Sequence, residues 1–134
     1  MPTITNKYLL NKRTELKHVK SGSVFMTDAP VDNNGKGERF SPTDTVSGAL
    51  SACMMTIMAN NAEKDGLELD GLTSSVTKIM AENPRRITEI IIEFDWEKCP
   101  ANEKQRITLK RVALKCPVAL SLHPDIKQTV TFNF

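Results

Sequence analysis

The sequence predicts a mixed fold of helices and antiparallel strand hairpins, and three observations carry that expectation. Residues 45–62 hold no charge, although 25% of the chain is charged. Two pairs of extended segments flank short turns, at Lys20-Ser21-Gly22 and at Asn83-Pro84. The last six residues, TVTFNF, alternate in polarity as a closing strand does.

In chain order, RTELKHV (13–19) and SVFMTDA (23–29) read as the first hairpin. VDNNGKGERF (31–40) is polar and glycine-bearing, and reads as a mobile loop leading into a helix. That helix spans Ser41 to Gly66: Ser41 suits the N-cap, Pro42 the first helical position, and Asp44 falls three residues after the cap. Val46, Leu50, Cys53 and Ile57 recur at helical spacing, with Met54 and Met58 widening the stripe. Gly48, Ala49, Ser51 and Ala52 leave room for close approach by another backbone, and Asp65-Gly66 ends the helix. A helix apolar on nearly every side needs cover all round, which a chain this short supplies more readily with a second copy of itself.

Leu72 to Ala81 and Ile87 to Trp96 form the second predicted hairpin. Ile90, Ile92, Phe94 and Trp96 alternate onto one face and Glu89 and Glu93 onto the other, as in a sheet covered on one side. Leu109, Val112, Ala113 and Cys116 then repeat as an amphipathic helix with a basic outer face. Pro117 disfavours helical geometry at Cys116 and suits the first turn of a new short helix. Cys116 is thus expected at a fresh helix start, where N–H groups and the helix dipole favour a thiolate. In the closing strand Val130, Phe132 and Phe134 are expected to point inward. With no internal repeat, low-complexity stretch or linker, residues 1–134 read as a single domain of sufficient length to bury a core.

Composition narrows the function. A net charge of +2 is too small to argue for nucleic acid, and the clusters Lys17, His18, Lys20 and Arg106, Lys110, Arg111 read as solvated surface. No span of about twenty apolar residues argues for a membrane helix. The first residues, MPTITNKYLLNKR, lack the apolar core of a signal peptide, so a cytoplasmic location is expected. Three cysteines in that setting suggest reactive or buried thiols and no disulfide scaffold. With two histidines they include no closely spaced ligand pair, so neither a metal nor a cofactor is expected. Gly35 and Gly37 make too little of a phosphate loop, no serine stands in a nucleophile elbow, and His123 before Pro124 reads as an ordinary loop residue. Cys99, in a polar stretch after a strand, reads as a structural thiol. Cys53 is either plain core or the nucleophile of a guarded site.

A Pro-led helix whose third turn ends in a small residue and a cysteine (SPTDTVSGALSAC), a CPV motif after a second helix, and the turn NPRRI before a strand occur together here. In these features the chain resembles the family of osmotically inducible protein C (OsmC) and the organic hydroperoxide resistance proteins (Ohr). The resemblance implies an α+β fold, with antiparallel sheets wrapped around a central buried helix in an intertwined homodimer. It also implies two thiol sites at the subunit interface. In the peroxidase members the first cysteine reduces an organic hydroperoxide and the second resolves it, roles that fall on Cys53 and Cys116. A dithiol then returns the enzyme to its reduced form. Two positions depart from the peroxidase pattern. Thr43 stands where an acidic residue usually follows the proline; Asp44 is the nearest carboxylate, and it also has a capping explanation. At 1.5 Å per residue, positions 43 and 44 lie about 14–15 Å along the helix from Cys53, so either would act indirectly or from the partner chain. The family's active-site arginine comes from the N-terminal strands, where Arg13 is the only arginine and Lys17 or His18 are alternatives.

The chemistry needs a thiolate. A free cysteine, with a reference pKa of about 8.5, is mostly protonated at neutral pH, and apolar surroundings raise that value. A nearby cation must overcome this, the role expected of Arg13. Met54, Met55, Met58 and Phe40 either form an apolar wall that selects alkyl or aryl hydroperoxides or belong to the core. The competing reading is a non-catalytic relative that keeps the dimer and binds a small apolar ligand in its interfacial cavity.

Overall fold

Alternating residues on either side of Gly22 close into the expected hairpin, and a strand the pattern did not signal joins its edge. In the computed structural model, which describes residues 1–134, β1 (Ile4–Tyr8), β2 (Arg13–His18) and β3 (Val24–Asp28) form an antiparallel sheet in that order. β1 escapes prediction because all five of its residues, ITNKY, are exposed and show no buried alternation. Leu10, Asn11 and Lys12 turn the chain from β1 into β2 with φ of 73°, 54° and 60°. The Tyr8 hydroxyl accepts a hydrogen bond from the Lys12 N–H at 3.0 Å across this turn. The polar loop after β3 contains one 3-10 turn, Val31–Asn33. Gly35 is required there, since a Cβ would lie 1.8 Å from the Ala29 carbonyl oxygen.

Helix α1 (Pro42–Glu63) begins with the predicted reciprocal cap. The Asp44 N–H donates to Ser41 Oγ at 3.0 Å and the Ser41 N–H to Asp44 Oδ2 at 2.9 Å. It ends in a Schellman arrangement: Leu67 N–H donates to the Ala62 carbonyl, Gly66 N–H to that of Glu63, and Gly66 takes a φ of 66°. The buried stripe is Ser47, Leu50, Ser51, Met54, Met58 and Ala62. This corrects the stripe expected from spacing: Cys53 and Ile57 lie half-buried on its flank, and Val46 is exposed. Ala49, Ala52, Thr56 and Ala59 on the other side of the helix are exposed in the single chain.

The chain forms two compact units, Met1–Val46 and Ser47–Phe134, so α1 starts in the first and runs on in the second. In the second unit, β4 (Thr73–Ala81) and β5 (Arg86–Asp95) pair antiparallel, with Val76 opposite Ile92. β6 (Lys127–Asn133) joins the other edge of β5 in parallel, with Ile92 opposite Val130 and Phe94 opposite Phe132. This pairing departs from the antiparallel arrangement expected throughout. A parallel neighbour requires a crossover, made by α2 (Glu103–Ala113) and α3 (Pro117–Ser121). Asn102 and Gln105 cap α2 reciprocally, a signal present in the sequence as Asn-x-x-Gln.

Burial follows the predicted alternation on β5: Ile90, Ile92 and Phe94 are inaccessible and Trp96 nearly so. Phe94 stacks on Phe132 at 5.4 Å, and Phe134 meets Trp96 edge-on at 5.5 Å. The Trp96 indole donates to the Asp70 carbonyl at 3.1 Å, satisfying the one polar atom it buries. Against this face pack Leu50, Met54, Met58 and Ala62 of α1 and Leu109 and Ala113 of α2. The protein is thus a mixed α+β structure, and none of its helices is long and apolar enough to cross a membrane.

Candidate thiol site

The two cysteines of the sequence motif meet at the edge of the second unit's core. Cys116 belongs to the buried cluster and Cys53 packs against it. Cys53 is among the groups that raise the Cys116 thiol, which makes the two side chains near neighbours, and both are free thiols. Cys53 is half-buried, whereas Cys116 is completely inaccessible.

Local chain chemistry places Cys116. α2 stops at Ala113, and Pro117 disfavours helical geometry at the preceding residue, so Cys116 is extended, with φ −68° and ψ 153°. Pro117 then opens α3 with Cys116 as its N-cap. The sulfur accepts the Ala119 N–H at 3.4 Å, as a serine or aspartate oxygen would at this position. The expected break and new helix are therefore present.

The electrostatic outcome differs from the expectation for a helix start. Burial pushes the Cys116 thiol above its ordinary value, and the neighbouring Cys53 adds to the shift. The N–H groups of Ala119 and Val118 pull the other way and do not prevail. Loss of hydration at a wholly inaccessible sulfur outweighs the start of a five-residue helix. Cys116 is accordingly held as a neutral thiol at pH 7, which corrects the predicted thiolate.

The methionines divide. Met54 and Met58 are inaccessible core residues, while Met55 is half-buried. Cys99 is also half-buried against the core, and its thiol is not among the groups acting on Cys116. His123 is exposed in a loop, where Nδ1 accepts the Asp125 N–H. No three His, Cys, Asp or Glu side chains converge as metal ligands.

The remaining predicted site residues lie in the first unit. Arg13 forms a forked ion pair with Asp28, Nε to Oδ1 at 2.7 Å and Nη2 to Oδ2 at 3.0 Å, and reaches Glu38 at 3.4 Å. Asp28 is inaccessible and also accepts the Glu38 N–H at 3.2 Å. The Arg13 hydrogen bond holds the Asp28 carboxyl below the usual carboxylate range, against the cost of burial, and Asp28 raises Arg13 in turn. Sequence reasoning missed Asp28, although it lies directly opposite Arg13 in the β2–β3 register. Lys17 and His18 are exposed, and His18 bonds Ser21. Asp44 serves the cap of α1. Phe40, Val24, Phe25 and Met26, with Glu38, Arg39 and Asp44, line a groove of about 670 Å³.

Comparison with known proteins agrees with this architecture. The family model described as OsmC-like protein matches residues 35–131. A crystal structure from Psychrobacter arcticus 273-4, of a protein assigned provisionally to osmotic stress induction and detoxification response, shares 41% identity. It superposes with a TM-score of 0.94, over 99% of this chain and 96% of that one. An organic hydroperoxide resistance protein OsmC from Legionella pneumophila superposes with a TM-score of 0.76 at 12% identity, covering 100% of this chain and 98% of its own. A Vibrio cholerae protein assigned provisionally to organic hydroperoxide resistance, with captopril bound in one of its active sites, reaches 0.74 at 13% identity, over 99% and 92% of the two chains. The last two likenesses concern the fold. No curated protein matches the chain. With the model matching most of its length and a relative this similar over nearly all of it, the chain belongs to the OsmC-like family.

Proposed function

We propose that the protein is a thiol peroxidase that reduces organic hydroperoxides, with Cys53 as the attacking thiol and Cys116 as its resolving partner. The observation that carries this reading is a half-buried Cys53 packed against the buried cluster that holds an inaccessible Cys116. Thiolate attack on the outer oxygen of ROOH breaks the O–O bond, releases ROH once a proton is supplied, and leaves Cys53 as a sulfenic acid. The Cys116 sulfur then displaces hydroxide from that sulfur; with the thiol proton this leaves as water, and a disulfide remains. A dithiol reductant restores the two thiols. The assignment makes Arg13, held by Asp28 and Glu38, the cation that favours the Cys53 thiolate, and leaves Asp44 to cap α1.

The functional unit in this proposal is a homodimer. Ala49, Ala52, Thr56 and Ala59 give α1 an exposed, uncharged side that suits close packing against another helix. A second reading, a non-catalytic dimer that binds a small apolar ligand, is favoured by the groove beside Phe25 and Phe40 and by Thr43 at the usual acidic position.

Consumption of cumene hydroperoxide and of hydrogen peroxide, measured with a dithiol reductant, separates the two. The peroxidase prefers the organic substrate, loses turnover in Cys53→Ser, and in Cys116→Ser undergoes one oxidation that stops at, or passes beyond, the sulfenic acid. Mass spectrometry showing Cys53 unmodified and no Cys53–Cys116 disulfide after stoichiometric hydroperoxide refutes it in favour of the ligand-binding reading.

A further inference from the structure

We propose that the outer face of α2 docks on an anionic lipid bilayer, with Lys104, Arg111 and Lys115 at the headgroups and Ile107, Leu114 and Leu120 entering the layer beneath them. This docking is independent of the chemistry at Cys53.

Charge sets this stretch apart in a chain whose net charge is only +2. Residues 104–124 hold five lysines and arginines and no aspartate or glutamate, with Glu103 just before them. The fold divides the five. Arg106 turns back on the chain, donating to the carbonyls of Ala101 at 2.9 Å and Cys99 at 3.3 Å. Lys110 lies over the Phe134 ring, 5.4 Å from its centre. Lys104, Arg111 and Lys115 are exposed and form no ion pair.

Helical geometry gathers these cations with aliphatic side chains. At about 100° per residue, Lys104, Ile107, Thr108, Arg111 and Leu114 share an arc of about 120°, opposite the buried Leu109 and Ala113. Ile107 is 56% exposed and Leu114 50%, and Leu120 on α3 reaches 73%. A single exposed aliphatic residue is ordinary. Three of them among unpaired cations, on a stretch free of acids, make the combination that interfacial helices carry. A helix face is convex and offers a small molecule no pocket. Nucleic-acid phosphates would engage the cations and leave Ile107 and Leu114 without a partner. An anionic bilayer engages both kinds of side chain. Each Lys or Arg near such a surface contributes about fivefold in affinity, so three unpaired cations give about a hundredfold preference over a neutral bilayer. An organic hydroperoxide and a small apolar ligand both partition into a bilayer, so docking there serves either reading of the thiol site.

The test co-sediments the full chain with vesicles of phosphatidylcholine alone, or of phosphatidylcholine with about one-third phosphatidylglycerol. Binding should be at least tenfold tighter on the anionic vesicles. It should weaken as salt rises to about 0.5 M, where the Debye length falls below about 5 Å. These two comparisons need no variant. Lys104→Glu with Arg111→Glu should weaken binding at least tenfold, whereas Lys64→Glu with Lys98→Glu, the same change of charge at other exposed positions, should not. Ile107→Ser with Leu114→Ser should cost at least fivefold while every cation stays in place. Urea unfolding checks that each variant is folded. Equal affinity for the two vesicles, no sedimentation with either, an equal loss in the Lys64 and Lys98 control, or full binding by the serine pair overturns the proposal. Binding to soluble polyglutamate as tight as to anionic vesicles also overturns it and assigns the face to an acidic protein partner. The hydroperoxide assay is separate, so a protein that consumes cumene hydroperoxide yet ignores anionic vesicles loses the docking surface and keeps the peroxidase assignment.

Discussion

Replacing Cys116 by alanine and by serine separates what its sulfur does for α3 from what it does in redox chemistry. The sulfur caps α3 through the Ala119 N–H and fills wholly buried space. Removing an N-cap acceptor costs about 0.5–2 kcal/mol, and a thiol, being a weak acceptor, belongs in the lower half of that range. The space left by one buried sulfur, close to a methylene in size, adds about 1 kcal/mol. Cys116→Ala should therefore lose about 2 kcal/mol. Serine restores an oxygen acceptor at the cap, and its hydroxyl can donate to the Cys53 sulfur, so Cys116→Ser should lose about 1 kcal/mol or less. A gap of about 1 kcal/mol corresponds to about 3–5 °C in Tm for a chain of this size. Urea unfolding under reducing conditions, at one protein concentration, measures it. Equal stabilities for the two variants would refute the capping role, while both should lack the resolving disulfide.

Two further outcomes test the frame around the site. Phe94→Ala removes an inaccessible ring stacked on Phe132 and should cost about 3–5 kcal/mol in urea unfolding; a loss below about 1 kcal/mol would contradict the packing of β5 against β6. Asp28 has a depressed carboxyl, so the stability from its ion pair with Arg13 is fully present above the ordinary value of 3.8 and is lost as pH falls through the lower folded value. Asp28→Asn should be less stable than wild type by a constant margin from pH 5 to 8, and that margin should shrink below pH 3.8; a margin that stays flat into acid would show that the pair does not titrate with folding.

The parts of the fold visible in the sequence are those dictated by local chemistry. Ser41, Pro42 and Asp44 identify the start of α1 because their cap is closed within four residues. Pro117 marks the break at Cys116 because its ring restricts the residue before it. The alternation in β5 reports its buried face directly. Parallel pairing of β6 is a long-range outcome that TVTFNF alone does not encode, and β1 has no buried face to leave a pattern. The stripe of α1 was displaced for a related reason. Ser47 and Ser51 are buried on a mostly apolar face, and Ser51 is accommodated through a 2.6 Å hydrogen bond to Ser74, a partner on another element. Counting apolar residues alone shifted the expected stripe toward Cys53.

The same division separates the thiol pair from its electrostatics. Residue type and spacing were enough to single out Cys53 and Cys116, since each sits at a position defined by its own helix. Whether a sulfur ionises depends on how much water the packed core removes, and Cys116 shows desolvation outweighing the N–H groups that the motif supplies. Arg13 makes the point through register. A hairpin symmetric about Ser21 would set Arg13 opposite Ala29, but the observed pairing, with His18 N–H bonded to the Ser23 carbonyl, sets it opposite Asp28. That single-residue difference supplies the buried carboxylate that fixes the guanidinium in place. A positively charged side chain identified from sequence therefore becomes a defined ion pair only when strand register is known, and any pH-dependent role for Arg13 must be measured against Asp28 as its first partner.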